Sequence, residues 1–175
     1  MKRAITHGGF TLVELLVITS VLVLISATSF PSLVRYYEEQ KLRQAAIELQ
    51  SFLLAARSLA QRNDGTCTVT LSTAGATAGS APICSAASLS PLNLATLTSV
   101  RGLCLSSNGA VGTGCTAPNP TQVAFNPLGV LAGPSRTLFL ASTASRAQYC
   151  VQLSLTLIRV GNRNGTAGAC TFTRM

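Results

Sequence analysis

The chain from residue 65 onward lacks almost every side chain that carries out acid–base chemistry. Residues 65–175 contain no Asp, Glu, His or Lys, and the single His of the protein is His7. General acid–base catalysis needs such a group within hydrogen-bond reach of the substrate, and a Ser nucleophile needs an adjacent base. We therefore predict that the protein is not an enzyme, with no catalytic residues and no small-molecule substrate.

The same shortage argues against metal and cofactor sites. Hard cations such as Ca²⁺ and Mg²⁺ need carboxylate ligands, and these are missing beyond Asp64. The six cysteines show no C-x-x-C spacing, which argues against a redox motif or a zinc ribbon. We expect neither a metal nor a cofactor.

The cysteines favour disulfides instead. They lie beyond the amino-terminal third of the chain, at Cys67, Cys84, Cys104, Cys115, Cys150 and Cys170. An even number in an exported domain suggests up to three disulfides, although six cysteines allow about fifteen pairings. We favour the pairs 67–84, 104–115 and 150–170, because each closes a short loop and would stabilise the domain by about 2–4 kcal/mol. Free buried thiols are the alternative.

A long apolar run near the amino terminus has the length of a membrane span. Between Phe10 and Val34 the only charged residue is Glu14, and about 20 apolar residues suffice to cross the hydrocarbon. Lys2 and Arg3 precede the run and favour a cytoplasmic amino terminus. The run therefore predicts a transmembrane segment over 10–34, with the rest of the chain outside.

Two simpler interpretations leave features unexplained. A secretory signal peptide has a shorter apolar core followed by small residues, whereas Gly8 and Gly9 precede this run. A plain single-span anchor gives no reason for Glu14, since a charge in the span costs a few kcal/mol.

The stretch "GGFTLVELLV" behind a short basic leader resembles the processing site of type IV pilins and type II secretion pseudopilins. The resemblance implies a leader over residues 1–9, cleavage after Gly9 by a prepilin peptidase, and N-methylation of Phe10. In that family the residue matching Glu14 meets the amino terminus of a neighbouring subunit. Two opposite charges in hydrocarbon are tolerable together and costly apart, so Glu14 would favour assembly. Pairing of Glu14 with its own amino terminus is the alternative.

The helix is expected to continue to residue 62. Apolar residues recur there at steps of three and four, which is typical of one buried helix face: Leu42, Ala45, Ala46, Leu49, Phe52, Leu53, Ala56, Leu59 and Ala60. "NDG" at 63–65 favours a helix end. We predict one helix over 10–62, membrane-spanning in its first half and amphipathic in its second.

The head, residues 63–175, has strand-like alternation. Candidate strands are 67–72, 99–106, 121–126, 136–141, 149–160 and 169–174, and 73–97 is predicted as a long loop, with or without a short strand. "VAFNPLGVLAGPSRTLFL" followed by "RVGNR" resembles the carboxyl-terminal region of the GspH/FimT group of minor pilins. The expected fold class is α+β, the pilin fold, in which a long helix packs on a small antiparallel β-rich head with disulfides.

From residue 65 onward, the head has arginines as its only charged side chains, and a one-signed charge of this kind attracts polyanions: Arg101, Arg136, Arg146, Arg159, Arg163 and Arg174. Some FimT-type pilins bind DNA through a Gly-Arg-x-Arg element. Here Gly161 fits that element, but Asn162 and Asn164 stand where its arginines would. A solvated basic face, or one that meets acidic filament neighbours, is the alternative.

The resemblance implies a minor type IV pilin or pseudopilin that assembles into, or primes, a type IV pilus or a type II secretion pseudopilus. Its partners would be other pilins, the prepilin peptidase and the inner membrane, with the head in the periplasm. Two alternatives stay open, a DNA-binding pilin acting in DNA uptake and a major pilin. The residues fit the pilus, secretion and competence machines equally.

Overall fold

The computed structural model describes residues 11–79, 84, 88–94, 96, 99–100, 102–107, 122–143, 147–163 and 170–172, with only the backbone of 27–31. The predicted processing residues Gly9 and Phe10 lie outside this set, as do Cys115, Arg101, Arg146 and Arg174. The chain divides into two units, one ending at Tyr36 and one beginning at Tyr37.

One helix dominates the amino-terminal half. α1 runs from Leu12 to Arg62 and begins behind Thr11, whose hydroxyl accepts a hydrogen bond from the Glu14 N–H at 3.3 Å. This is the usual geometry of an N-cap. At the other end, Asp64 has a positive φ and the Gly65 N–H donates to the Ala60 carbonyl at 3.1 Å. These features form a Schellman-type end at the predicted position.

In the first unit, every apolar side chain described on α1 is exposed. The set comprises Leu12, Val13, Leu15, Leu16, Val17, Ile18, Val21, Leu22, Val23, Leu24, Ile25, Leu33 and Val34. Within the part of the chain that the structure describes, no helix combines the length and the apolarity that a membrane crossing requires. The predicted span over 10–34 is therefore not confirmed.

The second unit contains eight strands among its described residues: β1 Cys67–Ser72, β2 Gly75–Ala78, β3 Leu92–Asn93, β4 Leu103–Ser106, β5 Gln122–Phe125, β6 Arg136–Ser142, β7 Gln148–Leu153 and β8 Ile158–Arg163. They form two antiparallel sheets, ordered β3-β2-β1-β5 and β4-β6-β7-β8. The loop after β5 links the sheets, since the Leu131 N–H donates to the Leu155 carbonyl and the Ala132 N–H to the Ala124 carbonyl. The α+β class expected from the sequence, with one long helix and antiparallel sheets, is confirmed.

The core lies between the second half of α1 and the inner faces of both sheets. Residues from the predicted helix stripe, including Leu42, Leu49 and Leu53, are fully buried with Val69 of β1 and Leu140 of β6. Burial of this stripe contributes hydrophobic stabilisation along about five helical turns, at roughly 25 cal/mol per Å² of apolar surface. The amphipathic second half of α1 is thus the element on which the head is assembled.

Two strand predictions and one loop prediction are wrong in their extent. The predicted strand 149–160 is a hairpin, in which the Ser154 N–H donates to the Leu157 carbonyl at 2.8 Å between β7 and β8. The predicted loop 73–97 contains β2 and β3. The predicted strand 99–106 begins only at Leu103, because Ser99 and Gly102 have positive φ and interrupt extended backbone.

Candidate functional site

The first turn of α1 carries the residue that the sequence marks for assembly. Glu14 is exposed, and it is the only charged residue described between Thr11 and Val34. Its backbone N–H bonds to the Thr11 hydroxyl, so Thr11 and Glu14 occupy the positions of a capping box, Thr-x-x-Glu. Sequence reasoning missed the N-cap at Thr11, although the spacing in "TLVE" signals it.

Three hydroxyl side chains of the apolar segment are satisfied within the helix. Thr19 donates to the Leu16 carbonyl at 3.0 Å, Ser20 to the Val17 carbonyl at 2.8 Å, and Ser26 to the Leu22 carbonyl at 2.8 Å. Hydroxyls that bond back to their own helix need no partner from solvent. This part of α1 can therefore enter an apolar environment without stranding those polar groups.

The structure forms two of the three disulfides favoured from the sequence. Cys67 bonds Cys84 with a Cα–Cα distance of 5.1 Å, and Cys150 bonds Cys170 at 6.4 Å. Both spacings fall in the normal range for disulfides. Cys104 is disulfide-bonded as well. Its predicted partner, Cys115, lies outside the described residues, so that pairing stays a prediction.

The described head arginines do not form one patch. Strand alternation places Arg136 of β6 on the core-facing side, whereas Arg159 and Arg163 of β8 lie on the opposite side. Arg136 is half-buried and donates to the Gln122 carbonyl at 3.5 Å, and the Arg163 guanidinium lies 4.9 Å from the centre of the Phe139 ring. Arg159 is the exposed member of the three.

Three side chains of α1 donate hydrogen bonds to main-chain carbonyls of the head, in the turn after β5, in the β7–β8 turn and at the first residue of β8. Gln50 Nε2 donates to the Ile158 carbonyl at 2.9 Å, and Arg57 Nη1 to the Thr156 carbonyl at 2.6 Å. Gln61 Nε2 donates to the Leu128 carbonyl at 3.2 Å. The three donors lie on the same edge of α1, because their spacing along the helix is close to whole turns. This edge therefore positions both the turn after β5 and the β7–β8 turn.

The Gln61 contact depends on a glycine in the turn after β5. Gly129 has a φ of +71°, and a Cβ there would overlap the Gln61 side chain. Only glycine adopts this backbone region without cost. In "FNPLG", residues 125–129, the glycine is thus required both by its backbone conformation and by its contact with Gln61.

The tyrosine on β7 remains neutral at physiological pH. Burial raises the pKa of Tyr149 above its usual value; the Glu39 carboxylate adds to this effect and the Arg43 guanidinium opposes it. Tyr149 belongs to the buried core.

We find no metal cluster in the described residues, since none of their His, Cys, Asp and Glu side chains gather in groups of three or more.

A model of the family described as "Type II transport protein GspH" matches residues 45–156, which is more than half of the chain. The chain belongs to the GspH family. The matched region begins in the buried stripe of α1 and runs to the β7–β8 turn, so it covers most of the head of this GspH-family protein.

A comparison with solved structures finds the crystal structure of the type IV minor pilin FimU from Pseudomonas aeruginosa strain PAO1. The sequences are 18% identical, the match covers 79% of this chain and 92% of that chain, and the TM-score is 0.48. A comparison with curated proteins finds no match. The GspH-family assignment therefore rests on the family model, and it agrees with the resemblance to the GspH/FimT group seen in the sequence.

Proposed function

We propose that this GspH-family chain is a minor pilin or pseudopilin subunit that assembles into, or primes, a type II secretion pseudopilus or a type IV pilus. The observation that carries the proposal is the exposed apolar surface of α1 before Tyr36, with Glu14 as its single acid. A surface of this kind is costly in water, and large exposed apolar patches mark interaction sites. Packing among the helices of neighbouring subunits would bury it.

The proposal includes processing and location. A prepilin peptidase would cleave after Gly9 and leave Phe10 as an N-methylated amino terminus, as the motif at residues 8–15 implies. The uncharged stretch from Leu15 to Val34 would hold the protein in the inner membrane as a single pass before assembly. The head, with its disulfides, would then face the oxidising periplasm.

Glu14 is expected to act through its charge, by pairing with the amino terminus of a neighbouring subunit. Glu14→Gln keeps a side chain that can serve in a capping box but removes the charge. We expect this variant to enter filaments at least about a hundredfold less, because breaking a buried ion pair costs about 3–5 kcal/mol. The measurement is the amount of tagged protein in sheared filaments or in cross-linked pseudopilus, relative to membrane-extracted protein.

Thr11→Ala is the matched control, since it removes the N-cap hydroxyl and leaves the Glu14 charge in place. We expect its incorporation to stay near that of the unmodified protein. If Thr11→Ala fails as severely as Glu14→Gln, assembly depends on the first turn of α1 as a whole, and the two variants contradict a specific role for the Glu14 charge. Normal incorporation of Glu14→Gln would refute the charge-based role.

DNA binding is a second candidate function. It is favoured by the exposed Arg159 on β8 and by the absence of any acidic residue after Asp64. If the head holds DNA, the logarithm of the binding constant should fall with the logarithm of salt concentration, by about 0.7–0.9 per neutralised phosphate. Electrophoretic shift assays on the detergent-solubilised chain measure this slope.

Two arginine variants make that assay specific. Arg159→Ala should flatten the slope by about one phosphate, whereas Arg136→Ala, on the other face of the sheet, should change it less. The absence of any shift at about 50 mM salt, where electrostatic binding is strong, would reject DNA binding.

A further inference from the structure

The last described segment of the chain, residues 170–172, covers the free edge of β8. Its centre is Thr171, which pairs with Asn162 through two backbone hydrogen bonds of 3.0 and 2.9 Å. The Thr171 hydroxyl also donates to the Asn162 carbonyl at 3.0 Å and contacts the Asn162 side-chain oxygen. Residues 170–172 thus give the exposed edge of the β4-β6-β7-β8 sheet a partner, and open edges of this kind invite pairing with other chains.

A glycine makes room for the segment. Gly161 lies beside Cys150 in the β7–β8 register, on the face opposite the core. A Cβ at Gly161 would come within 2.6 Å of the Thr171 carbonyl oxygen and 2.7 Å of Cδ1 of Phe172. A side chain at position 161 would displace the backbone of residues 170–172. We call the space above Gly161 the slot, and residues 170–172 can occupy it only because position 161 is a glycine.

The disulfide that holds this segment differs in location from the disulfide of the first sheet. Cys67 and Cys84 are fully buried members of the hydrophobic core cluster. Cys150 is fully buried too, but neither it nor Cys170 belongs to that cluster, and the two disulfides differ in access at Cys170. Cys150 is buried on the outer face of the sheet, and Cys170 is half-buried. Since thiol–disulfide exchange depends on access to the sulfur atoms, the two bonds should differ in reactivity.

We propose that Cys150–Cys170 is a thiol-sensitive latch that holds residues 170–172 on the edge of β8. A dithiol reductant attacks through one thiolate, forms a mixed disulfide with one cysteine and releases the other as a thiol. Its second thiol then displaces the first cysteine, so the protein gains two thiols and the reductant becomes a disulfide, with two electrons transferred. After reduction, residues 170–172 leave the edge of β8. The backbone N–H and carbonyl of Asn162 and the slot over Gly161 are then exposed to solvent, while the core stays folded.

The test is a titration of the full chain in detergent with dithiothreitol. Free thiols are trapped with iodoacetamide at each step and located by peptide mass spectrometry, and amide hydrogen exchange is followed in parallel. We expect Cys150 and Cys170 to be labelled at lower reductant than Cys67 and Cys84. Exchange at the Asn162 amide should then accelerate at least about tenfold, as loss of its hydrogen bonds requires, while Leu140 of β6 stays protected.

Labelling of Cys67 and Cys84 first would overturn the proposal, and so would unchanged exchange at Asn162 after Cys150 and Cys170 are labelled. Gly161→Ala provides a second route, because it fills the slot while leaving both sulfur atoms in place. This variant should speed exchange at Asn162 under oxidising conditions, and Arg159→Ala, an exposed neighbour on the same strand, should not. Equal behaviour of the two variants would contradict the role of the slot.

Discussion

Replacing Leu53 with alanine should lower the free energy of unfolding by about 2–5 kcal/mol, the range for truncating a fully buried leucine. Leu53 has no exposed surface and lies on the face of α1 that packs against the head. Its removal leaves a cavity between helix and sheets that a rigid helix cannot close. Urea denaturation of the detergent-solubilised chain, followed by circular dichroism, should show a midpoint lower by about 1–2 M.

The adjacent residue gives a matched control. Leu54 has the same side chain on the same helix, but 42% of its surface is exposed. Leu54→Ala should change the free energy of unfolding by only about 0.5 kcal/mol, as surface substitutions usually do. If the two variants lose stability equally, then the helix face assigned to the core is wrong.

Removing the disulfide of the first sheet should have a comparable effect. The pair Cys67→Ala with Cys84→Ala frees a loop whose ends are 17 residues apart, which costs about 3 kcal/mol in the chain-entropy description. Both cysteines are also fully buried in the core, so the double variant loses packing as well. The same denaturation experiment measures the loss, under oxidising conditions so that the remaining disulfides stay formed.

The second disulfide is the internal reference for that measurement. Cys150 and Cys170 are 20 residues apart, so the entropic contributions of the two loops are nearly equal. The pair Cys150→Ala with Cys170→Ala should nevertheless cost less, because its cysteines lie outside the core cluster. Identical losses for the two double variants would show that loop constraint alone accounts for the stabilisation.

Much of the helix and of the first sheet could be predicted from the sequence, because their signals are local. The buried stripe around Leu49 repeats at helical spacing, and β1 alternates apolar and polar residues over its whole length. The β7–β8 turn escaped prediction, because alternation continues through "SLTL" at 154–157 without Gly, Pro, Asn or Asp. β2 and β3 escaped because "GATA" and "LN" are too small or too short to show a pattern.

Among the candidate site residues, the cysteine pairs could be predicted from the sequence, whereas the positions of the arginines could not. Disulfide pairing could be predicted because short loops between cysteines are favoured by chain entropy, which depends on sequence separation alone. The arginines could not be placed, because the face that a strand residue occupies depends on register, and a shift of one residue moves Arg159 to the other face. The segment at Thr171 is a single bridge to Asn162, too short for any periodic signal.

The hydrogen bonds from α1 to the turns of the head place little constraint on which amino acids stand at the accepting positions. Gln50, Arg57 and Gln61 bond to main-chain oxygens, which every amino acid supplies. The identities of Leu128 and Thr156 are therefore not constrained by those bonds, although Gly129 is constrained by its backbone. Positions 128 and 156 can therefore accept new side chains, and hence new recognition properties, while the hydrogen bonds from α1 to the main chain stay the same.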